Sequence, residues 1–195
     1  MDRIILCVVL LSCTTSVSAG SGFYFALDSL SHTLTTKTKT DITYSPPPPA
    51  DSSSSGSSER TYDDVGLRLG YKYKRRLTHR SFIVPELHLS NFKSDDLIYG
   101  TNLKFGAEIN RLAVFGIVGV SRVDLFDNNV VNYGIGSEYN FSNNIALNIE
   151  WQRFDTMNEQ TTAVSYFGAQ TVTIYTDTKR DIDLLKIGIS FYFHE

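Results

Sequence analysis

The sequence predicts an all-β chain whose eight antiparallel strands run up and down and close into a transmembrane β-barrel with long extracellular loops. Three observations predict it. Segments of about ten residues alternate apolar and polar side chains with period two. The connections between them alternate between short and long. The chain opens on an export signal. Composition agrees: among 195 residues there are 12 Phe, 11 Tyr and 13 Gly, with mean hydropathy −0.14 and net charge −3. No stretch reaches the ~18 apolar residues of a spanning helix, which excludes a helical membrane protein. A pI near 5.8 argues against a nucleic-acid partner.

The signal comes first. Arg3 supplies a positive charge, Ile4 to Leu11 an apolar core, and Val17-Ser18-Ala19 a small-residue cleavage site. Residues 1–19 are read as a signal peptide and 20–195 as the barrel domain. Leu10-Leu11-Ser12-Cys13 also looks like a lipobox, which would lipidate Cys13 instead. Under the first reading Cys7 and Cys13 leave with the signal, and the exported chain has no thiol chemistry.

Eight strands follow, at about 21–31, 62–74, 79–90, 98–109, 112–123, 131–141, 145–154 and 182–193. Each matches the ~9–11 residues of a tilted membrane strand. Val65, Leu67, Leu69, Tyr71 and Tyr73 oppose Gly66, Arg68, Gly70, Lys72 and Lys74. Tyr99 to Ile109, Val131 to Phe141, Ile145 to Trp151 and Leu185 to Phe193 alternate in the same way. Pro85 would forfeit a ladder bond in the third strand, or mark a bulge there. Residues 112–123 are apolar on both faces, which leaves their orientation open. The turns at Asn110-Arg111 and Ser142-Asn143-Asn144 are tight. The connections at about 32–61 and 155–181 are long loops. An even strand number then puts both termini on the short-turn, periplasmic side.

Side-chain size decides which face points inward. An eight-stranded barrel has an interior just wide enough for side chains to fill it. Gly66, Gly70, Gly100, Gly106, Gly134, Gly136 and Gly188 all lie on the polar face, so that face points in. The apolar face then meets outer-membrane lipid. Tyr71, Tyr73, Tyr99, Tyr139, Phe141, Trp151, Phe191 and Phe193 form its aromatic girdle. The inward ionisable residues are Arg68, Lys72, Lys74, Lys104 and Lys186 against Asp28, Glu86, Glu108, Glu138 and Glu150. Buried charges must be paired. Equal numbers therefore point to a charge network that plugs the lumen; a charged ring lining a narrow pore is the alternative.

Gly22-Phe23-Tyr24, Gly66-Leu67-Arg68-Leu69-Gly70-Tyr71, Tyr133-Gly134-Ile135-Gly136-Ser137-Glu138-Tyr139 and Ile187-Gly188-Ile189-Ser190-Phe191-Tyr192-Phe193 carry a resemblance. Over about 20–195 the chain resembles the small Gram-negative outer-membrane β-barrels, the opacity-type porin and OmpA/OmpX-like superfamily. The resemblance implies outer-membrane residence and roles in adhesion, surface antigenicity or envelope integrity. It also implies that Phe191 and Phe193 belong to a signal read by the barrel-assembly machinery. His194 and Glu195 follow that signal, a departure from the usual terminal aromatic.

Function is then expected in the loops. Pro46 to Pro49 favour an extended segment, and the serine run 52–58 a flexible one. Ala163 to Phe167 and Thr171 to Tyr175 are β-prone and could extend the last two strands as a hairpin with an edge open to strand addition. Host surface molecules are the expected loop partners. Enzyme chemistry is poorly supported. His88-Leu89-Ser90-Asn91 is similar to the His-x-Ser-Asn element of outer-membrane lipid A deacylases, but position 102 offers Asn102 where an acid is needed. No cofactor and no metal site is expected, because His32, His79, His88 and His194 lack ligand spacing.

Overall fold

The computed structural model describes residues 21–45, 49–74, 81–92, 96–124, 128–168 and 170–193. The signal reading for 1–19, the Cys13 lipobox, and His194 and Glu195 lie outside them. The strands are β1 (Gly22–Ser45), β2 (Ser52–Lys74), β3 (Ser81–Phe92), β4 (Asp96–Ile109), β5 (Leu112–Val123), β6 (Asn128–Asn140), β7 (Ile145–Phe167) and β8 (Gln170–Phe193). All neighbours pair antiparallel, and β8 closes onto β1 from Phe23↔Phe193 upward, so the sheet is a closed eight-stranded barrel. This is the architecture that the period-two pattern and the alternating connections predict.

The two faces separate by chemistry. Phe23, Leu27, Leu67, Leu103, Phe105, Val118, Ile135, Ile149, Ile187 and Phe193 point outward and are exposed. The opposite positions are buried. Small inward residues make this packing fit: a Cβ on Gly70 would stand 2.6 Å from the Tyr24 ring, and one on Gly136 2.6 Å from the Phe115 ring. Closure also resolves β5. Ala113, Phe115, Ile117 and Val123 point in, while Leu112, Val114, Val118 and Val120 point out. Both sets are apolar because the inner set packs into apolar layers of the interior.

Pro85 does not shift the register. Gly70 pairs with Glu86 and Tyr73 with Ile83, while the β2–β3 ladder lapses between them. On its other side β3 pairs with β4 throughout, with Pro85 opposite Leu103. The missing Pro85 N–H accounts for the lapse.

The segments expected as long loops, about 32–61 and 155–181, differ from that expectation. Among the described residues, 32–45 and 52–61 continue β1 and β2, and 155–167 and 170–181 continue β7 and β8. Thr33 to Ile42 pairs with Thr61 to Ser52, and Met157 to Phe167 with Arg180 to Gln170. β1 and β8 also pair up to Ser45↔Thr171. A four-stranded sheet in the order β2-β1-β8-β7 thus projects beyond the barrel. Threonines and β-branched residues in β1 and β8 favour this extension over a loop. At about 3.4 Å per residue, the β7 tip stands roughly 40 Å past the end of the barrel wall. Gly22 at the start of β1, Phe193 at the end of β8 and the turns at 110–111 and 141–144 lie at the opposite end, called here the turn end.

Candidate functional site

The interior has three layers. At the turn end, Tyr24, Ala26, Phe82, Val84, Ala113, Phe115, Ile117, Ala146 and Tyr192 form an apolar cluster. Towards the projecting sheet, Leu30, Ile98, Val123, Val130, Phe154, Met157, Ile182 and Leu184 form a second, with Leu34 and Tyr62 packed on it. Polar and charged side chains occupy the space between.

Arg68 is the hub of the polar layer. Its Nε and Nη2 donate to the two oxygens of Asp28 at 2.5 and 2.6 Å. Its Nη1 donates to Glu86 at 3.2 Å and also to Glu150, and Nη2 reaches Asn148. Lys104 donates to Glu86 at 2.5 Å and to Glu150 at 2.6 Å. Lys186 lies buried across the β7–β8 ladder from Glu150, with no direct ion pair among the described residues. Three cations and three carboxylates therefore share one desolvated layer and sum to zero, the condition under which buried charge is tolerated.

The other four expected interior charges pair nearer the turn end. Lys72 donates to Glu138 at 2.9 Å and stands 4.7 Å from the Phe82 ring centre. Lys74 pairs with Glu108 at 2.8 Å at the more exposed rim. All ten residues of the expected charge network thus face the interior.

Sequence reasoning missed the neutral part of this network. Tyr24 donates to Glu86, and Tyr192 donates to Glu138 at 2.5 Å. Asn102 donates to Glu86 at 3.1 Å, Asn132 to Asn102 at 2.8 Å, and Gln152 to Glu150 at 3.2 Å. Ser121 donates to Asn132 at 2.9 Å and lies 3.1 Å from His88 Nε2. Except for Ser121, in the strand whose orientation stayed open, the signal was present in the alternation, but charge counting passed over uncharged residues. Of the deacylase-like element, His88 and Ser90 both face the interior and share no hydrogen bond among the described residues. Ser90 donates to the Ile98 carbonyl at 3.4 Å, and His88 meets Ser121 under the second apolar layer.

A void of about 10 Å³ lies beside Arg68, Lys104 and Phe115, no more than a single water requires. The turn end opens as a vestibule of about 530 Å³, lined by Lys72, Lys74, Glu108, Arg111, Asn140 and Tyr192 among others.

Outside, aromatic residues mark the ends of the apolar band. At the turn end Phe23 meets Tyr71 edge-on with ring centres 4.7 Å apart, Phe25 stacks on Phe191 at 4.8 Å, and Tyr139 meets Phe141 at 5.2 Å. Tyr73 and Phe193 are exposed near them. At the other end Tyr99 stands opposite Arg122. Trp151 stands opposite Leu185, one outward position below the Arg153↔Asp183 pair. The projecting sheet is polar by contrast. There Lys39 donates to Asp41 at 2.9 Å, and hydrogen bonds from Lys39 and Ser53 hold the Asp41 carboxyl below its ordinary range.

Compared by sequence, the chain matches no family model and no curated relative. Compared by structure, it is similar to the outer membrane protein OprG of Pseudomonas aeruginosa, with 13% identity, 89% of this chain and 97% of that chain covered, and a TM-score of 0.50. Neisserial surface protein A aligns at 13% identity over 91% of this chain and 100% of that one, with a TM-score of 0.39. Ail, the attachment invasion locus protein of Yersinia pestis, aligns at 11% over 85% and 99%, with a TM-score of 0.38. Closed eight-stranded topology, two-faced strands and the likeness to OprG together show that the chain has the fold of the small, OmpA/OmpX-like outer-membrane β-barrels.

Proposed function

We propose that this protein is a non-enzymatic barrel of the bacterial outer membrane that contributes to envelope integrity and displays its projecting sheet at the cell surface. The observation that carries the reading is the contrast along one axis. The barrel interior is packed with two apolar layers and a neutralised charge layer, while a largely polar sheet projects beyond it. A packed interior supports a structural role rather than transport. The exposed apolar band needs hydrocarbon around it. Residues 1–19 act as the export signal, the termini are periplasmic, and Phe191 and Phe193 serve the barrel-assembly machinery. Adhesion to host surface molecules is the role assigned to the sheet.

The test is fractionation of cells expressing the full chain, with gel mobility compared before and after boiling. A band in the outer-membrane fraction that is folded and SDS-resistant until boiled is the expected result. Recovery in the soluble fraction, with mobility indifferent to heat, would overturn the reading.

A further inference from the structure

The projecting sheet has two free edges, and they differ. Among the described residues, Ser52–Val65 of β2 and Asp155–Phe167 of β7 have a neighbouring strand on one side only. The β2 edge is blunted: it follows Pro46 to Pro49, and 52–58 are serine with one glycine, all poor strand formers. Beyond Asp155 and Glu159 the β7 edge carries no such device. Gln160-Thr161-Thr162-Ala163-Val164-Ser165-Tyr166-Phe167 contains no charge, no proline and no glycine. Its outer face is open and carries two apolar side chains, with Val164 48% and Tyr166 76% exposed, and Tyr175 on the adjacent strand 51% exposed. Such an edge is a template for one more strand.

We propose that the β7 edge pairs with the β7 edge of a second copy, antiparallel about a two-fold axis through Ala163, and thereby joins two membranes. The proposal rests on the surface-barrel reading above and names the partner of its sheet. A two-fold axis normal to the sheet keeps each face continuous, so residues of like parity must stand opposite each other. Centring on Ala163 sets Thr162 against Val164 of the second copy, Thr161 against Ser165, and Gln160 against Tyr166. Every one of these positions is uncharged, so no carboxylate is desolvated. On the outer face Tyr175 stands opposite Thr162, and Thr173 opposite Val164. The pairing therefore makes the two Val164 side chains diagonal neighbours, within the reach of about 7–8 Å across a ladder. One apolar stripe then runs from Tyr175 through both valines to the second Tyr175. Direction fixes the geometry. Copies in one membrane stand the same way up, and their β7 strands run parallel; antiparallel pairing points the two barrels away from each other, into facing membranes.

Two populations of phosphatidylcholine vesicles with different dyes, each carrying the refolded mature chain, test this by energy transfer between vesicles. Wild-type vesicles are expected to tether. Thr162→Lys/Val164→Lys vesicles should not tether to themselves, because position 162 of each copy faces position 164 of the other, and neither should Thr162→Glu/Val164→Glu vesicles. Lysine vesicles mixed with glutamate vesicles should tether again. Both positions are exposed, so every population should keep the heat-modifiable folded band. Wild-type vesicles that carry this band and stay dispersed would overturn the pairing, as would tethering that survives the lysine substitutions or a lysine–glutamate mixture that stays dispersed. Loss of the folded band from the wild type would instead overturn the barrel reading beneath it.

Discussion

Arg68 shows how much one residue carries. It sits between Gly66 and Gly70 on the inward face of β2, where the absent side chains leave room for Leu30 and for Tyr24. Its planar fork satisfies Asp28 with two donors and still reaches Glu86 and Glu150. Arg68→Met would leave Asp28, Glu86 and Glu150 with Lys104 and Lys186 alone. A loss of about 3–5 kcal/mol is expected, the cost of breaking a buried pair from one side. Urea titration of the refolded barrel, read by its single tryptophan, measures it; an unshifted midpoint would contradict the hub role. The rim pair Lys74–Glu108, with the lysine side chain 26% exposed, should behave differently. Lys74→Met is expected to cost about 0–1 kcal/mol in the same titration, as partly solvated pairs do. The expected inward direction of these charges came from alternation, and in β2, β4, β6 and β8 also from glycines on the same face. Their partners were not. Arg68 and Glu150 are 82 residues apart in sequence and meet across the lumen, so their contact depends on the stagger at which the sheet closes.

At the scale of elements, alternation located the strands within the barrel wall and failed where the second environment begins. Thr33 to Ile42 has no apolar face for a core, so by hydrophobic pattern it reads as loop. Yet it pairs residue by residue with β2 and with β8. Ladder bonds between two partners, and not burial, make these residues strands. The Ala163–Phe167 and Thr171–Tyr175 segments, richer in β-branched and aromatic residues, were legible as a hairpin. Because the projection adds pairing without core, the barrel should not depend on it. Joining Thr36 directly to Ser58, a registered pair, through an Asn-Gly turn is expected to leave the heat-modifiable band intact. A chain that no longer folds after this shortening would show that the extensions nucleate the barrel.

The whole molecule is a barrel filled like a protein core. Charges alone were expected to close the lumen. The two apolar layers that flank them went unread because Phe82, Val84 and Ile117 lie in strands with apolar residues on both faces, where alternation gives no direction. A layer of this kind excludes water as well as any ion pair does. Planar bilayers containing the refolded protein are therefore expected to stay silent; discrete, reproducible openings would mean that the interior rearranges into the narrow pore.

Beneath all of this lies the assignment of the apolar face to lipid. The only tryptophan tests it directly, since Trp151 points outward at one margin of the band. With the protein refolded into vesicles whose acyl chains carry bromine, strong quenching of Trp151 fluorescence relative to unbrominated vesicles is expected. Fluorescence indifferent to bromine would place the apolar face away from hydrocarbon and contradict the transmembrane barrel.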